Sequence, residues 1–181
     1  ICTLHFPGAQ SVSEQKLIQT ARSLMDPEYS RQSANTFPKY GLYPIYRELG
    51  HLRASFGPPV AKPETSAGCE GVDLTIPVNE GIEYSWASAE WSGNQVLSSK
   101  ELDDALGMNP GEVANGKKFD KALTEVHKAY GKSGHIEAHM TPTPEFDDAA
   151  SKVTFKIAVN EGPQFHMGTV EFKGFSADDA F

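Results

Sequence analysis

The chain has 181 residues, 39% hydrophobic and 22% charged, with ten Phe, six Tyr and two Trp. That aromatic content excludes a disordered tail, and no apolar run reaches the roughly eighteen residues a membrane helix needs. The formal charge of −8, from 24 acidic and 16 basic residues, opposes a polyanion over most of the surface and argues against nucleic acid as a partner.

In chain order, residues 1–6 read as a strand and Ser13 to Leu24 as a helix with Leu17, Ala21 and Leu24 on one face. Residues 37–49 read as a second helix, kinked or delayed by Pro38, Gly41 and Pro44. Strands over 52–60 and 72–78 close this first stretch. Tyr84 to Trp91 is a strand, turned by Gly93-Asn94. Ser98 or Ser99 caps the next helix, which Gly107 and Pro110 stop. Phe119, Leu123, Val126 and Tyr130 form one apolar stripe over a helix at 116–133, ended by Gly134. Residues 135–141 and 153–159 alternate as two strands around a loop at 142–148. A further strand at 165–172 and a helix start at Ser176 begin the pattern again. Neither end looks native: Ile1 follows no initiator Met or signal pattern, and Phe181 falls in mid-pattern.

The pattern is an internal repeat. Aromatic-x-Gly recurs at Phe6-Pro7-Gly8, Trp91-Ser92-Gly93 and Phe172-Lys173-Gly174. Tyr46, Gly50, His51, Leu52 and Ala54 are echoed by Tyr130, Gly134, His135, Ile136 and Ala138. Val78-Asn79-Glu80-Gly81 returns as Val159-Asn160-Glu161-Gly162. The expected fold is α+β: tandem two-layer β-α-α-β-β modules, each a three-stranded mixed sheet packed against two helices. Residues 1–82 make the first module, 83–163 the second, and 164–181 the start of a third. The Val-Asn-Glu-Gly motif reads as a turn between modules with its polar side chains in solvent.

No catalytic residue is assigned. Gly-x-Ser-x-Gly, His-Glu-x-x-His and phosphate-binding loops are all missing from the sequence. His135, Glu137 and His139 share one expected strand face, with His127 nearby in sequence, but alternate strand residues stand about 7 Å apart. That is wide for one ion, so neither a metal nor a cofactor is expected.

The element order, the aromatic-x-Gly, the Tyr-x-x-x-Gly-His-x-x-Ala helix exit and the Val-x-Glu-Gly ending resemble the POTRA (polypeptide-transport-associated) domain. Tandem copies are similar to the periplasmic arm of BamA-type outer-membrane barrel assembly factors; two-partner secretion and organellar import transporters carry the same domain. The resemblance implies an arm in the periplasm, tethered in its parent chain to an outer-membrane β-barrel, that receives unfolded barrel proteins and docks accessory subunits. It also implies that the strand after the second helix is a sheet edge, able to pair with a client strand. Leu52, Arg53, Ala54, Ser55 and Phe56, and His135, Ile136, Glu137, Ala138, His139 and Met140, are the corresponding candidates. The alternative is a scaffold that binds only folded partners. Cys2 and Cys69 would lie at one sheet end if their strands are parallel neighbours, and an oxidising periplasm would favour a bond between them. Two free thiols are the other possibility.

Overall fold

The computed structural model describes residues 1–25, 28–66 and 68–170. Two hydrophobic cores divide them, one on each side of residue 80. The second is the more regular. Strand β6 (Ser85–Ser92) leads to helix α4 (Ser99–Leu106), helix α5 (Gly116–Lys132), strand β7 (His139–Asp147) and strand β8 (Lys152–Asn160).

Local chemistry sets these bounds. The Ser98 side chain accepts the Glu101 N–H while the Glu101 carboxylate accepts the Ser98 N–H, a reciprocal cap on α4. Gly107 ends that helix in the left-handed conformation at φ 60°. Asn115 caps α5. The amphipathic faces bring Leu102 and Leu106 of α4, and Phe119, Val126 and Tyr130 of α5, down onto Trp86, Val153, Phe155 and Ile157. Burying each aliphatic side chain of this set contributes roughly 2 kcal/mol relative to exposure. The Trp86 and Phe155 rings stack at 5.4 Å, and Phe119 closes on Phe155 at 4.2 Å. The sheet order is β6-β8-β7, with β6 parallel and β7 antiparallel to the central β8.

The first unit repeats this plan with interruptions. Strand β1 (Thr3–His5) and helix α1 (Glu14–Leu24) are followed by a helical stretch from 31 to 48. That stretch starts earlier than the sequence suggests, because Ser30 caps helix α2 (Arg31–Phe37). Pro38 and Gly41 do not break it. They lie in a π-helical turn over Pro38–Leu42, from which helix α3 (Tyr43–Glu48) continues. Gly41 packs against the Phe37 ring.

The closing hairpin is cut into pieces by prolines. Strand β2 (Ser55–Phe56) stops at Gly57-Pro58-Pro59, and strand β3 (Val60–Ser66) resumes beyond it. On the partner side, strand β4 (Cys69–Thr75) and strand β5 (Val78–Asn79) are separated by Ile76-Pro77. The result is a three-stranded sheet β1-β4-β3 and a two-stranded piece β2-β5. The order and directions of the larger sheet, parallel β1-β4 and antiparallel β3-β4, match those of the second unit.

Cys2 and Cys69 are bonded, with Cα atoms 5.9 Å apart. The parallel pairing of β1 with β4 sets both at the same sheet end. Residues 163–170 form no strand. An opening strand pairs with the last strand of its own unit, as β6 does with β8, and no such partner is among the described residues. The expected third-unit helix start at Ser176 lies outside the described residues. No helix among those described is long and apolar enough to cross a membrane.

Candidate functional site

The recurring motifs converge in space, and their work is structural. Glu80 accepts the N–H groups of Gln10 and Ser11 at 2.8 and 2.9 Å and the Ser11 hydroxyl at 2.8 Å. Glu161 accepts the N–H groups of Gln95 and Val96 at 2.7 and 2.8 Å, and the Tyr130 hydroxyl at 3.2 Å. Each glutamate therefore ties the exit of its last strand to the loop after the first. This corrects the expectation for the glutamate of the motif, which turns back to the chain, while Asn79 and Asn160 are exposed as expected. The local sequence gives no hint of partners some seventy positions away.

Burial alone would raise the Glu161 pKa, but the two amides and the tyrosine hydroxyl outweigh it and hold the group below the ordinary glutamate value. Glu80 is lowered in the same way, against burial, by Gln10 and Ser11. The Tyr46 and Tyr130 hydroxyls are pushed up, by burial first and by the neighbouring glutamate second. Two of the aromatic-x-Gly glycines belong to the same knot, the third, Gly174, lying outside the described residues. Gly8 and Gly93 have φ of 94° and 81°, and a Cβ at either would run into the carbonyl oxygen of Val78 or Val159.

The candidate edge residues fall differently from the sequence reading. Leu52-Arg53 and Ile136-Glu137 are turns, so neither 52–54 nor 135–138 is strand. Each follows a left-handed glycine, Gly50 or Gly134, and returns its amides to the helix end: His51 and His135 donate to the Tyr46 and Tyr130 carbonyls. His51 and His135 are buried. The His135 ring nitrogen lies 3.2 Å from the carbonyls of Glu161 and Gly162. Among the described residues no three His, Cys, Asp or Glu side chains gather as a metal site. Strand begins only at Ser55 and at His139. Ser55 and Phe56 pair with Asn79 and Val78, whereas His139 and Met140 do open the edge strand β7.

Leu52 and Arg53 serve the joint between units instead. Leu52 packs on the second core. Arg53 bonds both Asp148 oxygens at 3.1 Å, and the Tyr84 hydroxyl reaches the same carboxylate at 2.6 Å. Arg47 grips Asp120, and Lys117 lies 3.5 Å from Glu48. The Tyr84 N–H donates to the Gly50 carbonyl, and Phe165 repeats this contact on Gly134.

The true edges on the hairpin side are β3 and β7, and both carry proline. β7 pairs with β8 without a gap from His139 to Asp147. The prolines can stand in that ladder only if their missing N–H would have pointed away from β8. Outward positions then alternate as Met140, Pro142, Pro144 and Phe146, so two of four carry no donor. Likewise Pro63 occupies the middle outward position of β3, between Ala61 and Thr65. The loop expected at 142–148 is thus mostly strand, because an edge tolerates the residue that usually marks a turn.

The same architecture occurs in known proteins. Residues 84–162 match the sequence model of the POTRA family, described as a surface antigen variable number repeat. Residues 84–162 form a POTRA domain. Relatives of the chain include a putative outer membrane protein assembly factor of Treponema pallidum, 26% identical over 96% of this chain. The outer membrane protein assembly factor BamA of Neisseria meningitidis is 25% identical, also over 96%. The chain spans 22% and 23% of those relatives' lengths. The crystal structure of Haemophilus influenzae BamA POTRA3-5 superposes with a TM-score of 0.68 at 20% identity, covering 98% of this chain and 72% of that one. That likeness carries the tandem POTRA fold across both units, although the family model covers only the second unit.

Proposed function

We propose that this chain is the POTRA arm of an outer-membrane protein assembly factor of the BamA type. In that reading it stands in the periplasm, tethered to a β-barrel, receives unfolded barrel proteins and docks accessory subunits; residues 1–82 and 83–163 are its two modules and 164–181 begin a third. The observation that carries it is the pair of POTRA-ordered three-stranded sheets, each open at two edges, on a chain related across nearly its whole length to assembly factors. Open edges present backbone groups that recognise any extended chain and ask little of its sequence. A receptor for many barrel strands needs that tolerance. The test is fluorescence anisotropy of a labelled barrel protein, diluted from urea, against the same protein already folded in detergent. Binding of the unfolded form alone is expected; equal or absent binding removes the client role.

A second reading is favoured by one feature of the first module. A groove of about 320 Å³ lies between the start of α1 and the end of α3, lined by Val12, Lys16, Ile45, Glu48 and Leu49. It suits a side chain of a folded accessory protein, and it would let the arm act as a scaffold.

A further inference from the structure

We propose that β6, the opening strand of the second module, is the edge that receives an extended client segment, and that β7 is closed to it. This rests on the edge-pairing reading above and assigns its site. It moves the site from the strand after the second helix to the opposite side of the sheet.

Ladder geometry decides which backbone groups are free. The odd-numbered residues of β8 turn their N–H and C=O groups toward β6, since its even-numbered residues bond β7. Ser85 donates to Ser151 on that same side. Trp86 faces outward, and its two backbone groups are taken by Gly111 and Glu112. A bulge between Trp86 and Ser88 then resets the alternation. Beyond it Ser88, Glu90 and Ser92 face β8, and Ala89 and Trp91 face outward.

Ala89 and Trp91 are thus successive outward residues, each with a donor and an acceptor. No proline stands anywhere in β6. On β7 the two surviving donors, Met140 and Phe146, are separated by two prolines; on β3, Ala61 and Thr65 are separated by one. A strand added there would leave client carbonyls facing proline rings, and an unmade bond to a buried acceptor outweighs a made one. β1 spans only three residues.

The flanking side chains specify the occupant. On the helix side Ala89 and Trp91 are partly buried against the core, and Trp91 Nε1 is held by Asp103 at 2.8 Å. On the other face Ser88, Glu90 and Ser92 are exposed. A strand laid along β6 meets an apolar surface at every second residue and a hydroxylic, acidic one between. That fits a segment alternating apolar with polar or basic residues, the pattern of a barrel strand.

The test is a nitrogen-15 amide titration of the chain with a synthetic nine-residue peptide alternating Val or Tyr with Thr or Lys. Shifts and slowed exchange centred on Ala89 and Trp91 are expected in the unaltered protein. A89P removes one outward donor without touching the β6–β8 ladder and should weaken binding by about tenfold; P142A/P144A should leave the β6 response unchanged. If A89P does not fold, the exchange pattern of the unaltered chain still decides. Binding centred on 139–147 or 60–66 would overturn the assignment while keeping edge pairing. Absence of binding would overturn both.

Discussion

The Arg47 guanidinium holds the Asp120 carboxylate through two hydrogen bonds, 2.7 and 3.0 Å long, across the boundary between the two modules. Arg47 also packs on Gly116, where a Cβ would come within 2.7 Å of its Nε. The joint is therefore built from a two-pronged ion pair seated on a glycine, beside the Arg53–Asp148–Tyr84 cluster. A double-mutant cycle with Arg47→Ala and Asp120→Ala should give a coupling of about 1 kcal/mol, falling as salt rises. Residual dipolar couplings of R47A should report a wider spread of inter-module orientations, with each module's internal couplings unchanged.

The glutamate of the Val-Asn-Glu-Gly motif makes stability depend on acid. Glu80 and Glu161 are held below the ordinary glutamate value in the folded chain. Their contribution is therefore complete above the unfolded value of about 4.3, and it is lost as pH falls through the lowered folded value. Urea unfolding at pH 7, 4 and 3 should trace that loss. Glu161→Gln should cost roughly 1–3 kcal/mol at pH 7 and flatten the acid limb of the second module.

Element order, a serine cap at 98 or 99 and the α5 stripe are legible in the amino-acid sequence, because each depends on the repeat or on residues close in the chain. What it hides is non-local. Glu161 meets Gln95 and Val96 only after the sheet closes. Pro142 and Pro144 read as loop, since the residue type punctuates chains and only pairing with β8 reveals which way the missing N–H points. Leu52 and Arg53 alternate like a strand, yet they form the turn that grips the second module.

The Cys2–Cys69 bond closes a separation of 67 residues. Chain entropy assigns it about 4 kcal/mol against the reduced unfolded state. Dithiothreitol should lower the melting temperature of the first module and leave the second, which has no cysteine, where it was. Calorimetry with and without reductant checks this.

Gly8 and Gly93 each combine a positive φ with a carbonyl in the place of a Cβ. Gly93→Ala should destabilise the second module by more than about 2 kcal/mol, well beyond the cost of a surface glycine in open space such as Gly107. Chemical denaturation of the two variants side by side measures the difference.

Site-specific photo-crosslinking to an unfolded barrel protein puts edge pairing to the sharpest test. A photoreactive residue is placed in turn at Glu90 on β6, Glu145 on β7 and Leu49 beside the α1–α3 groove. Client pairing along β6 predicts a strong adduct from position 90 with the unfolded client and little from position 145. Adducts only from position 49, and only with folded accessory proteins, would contradict it and make the arm a scaffold.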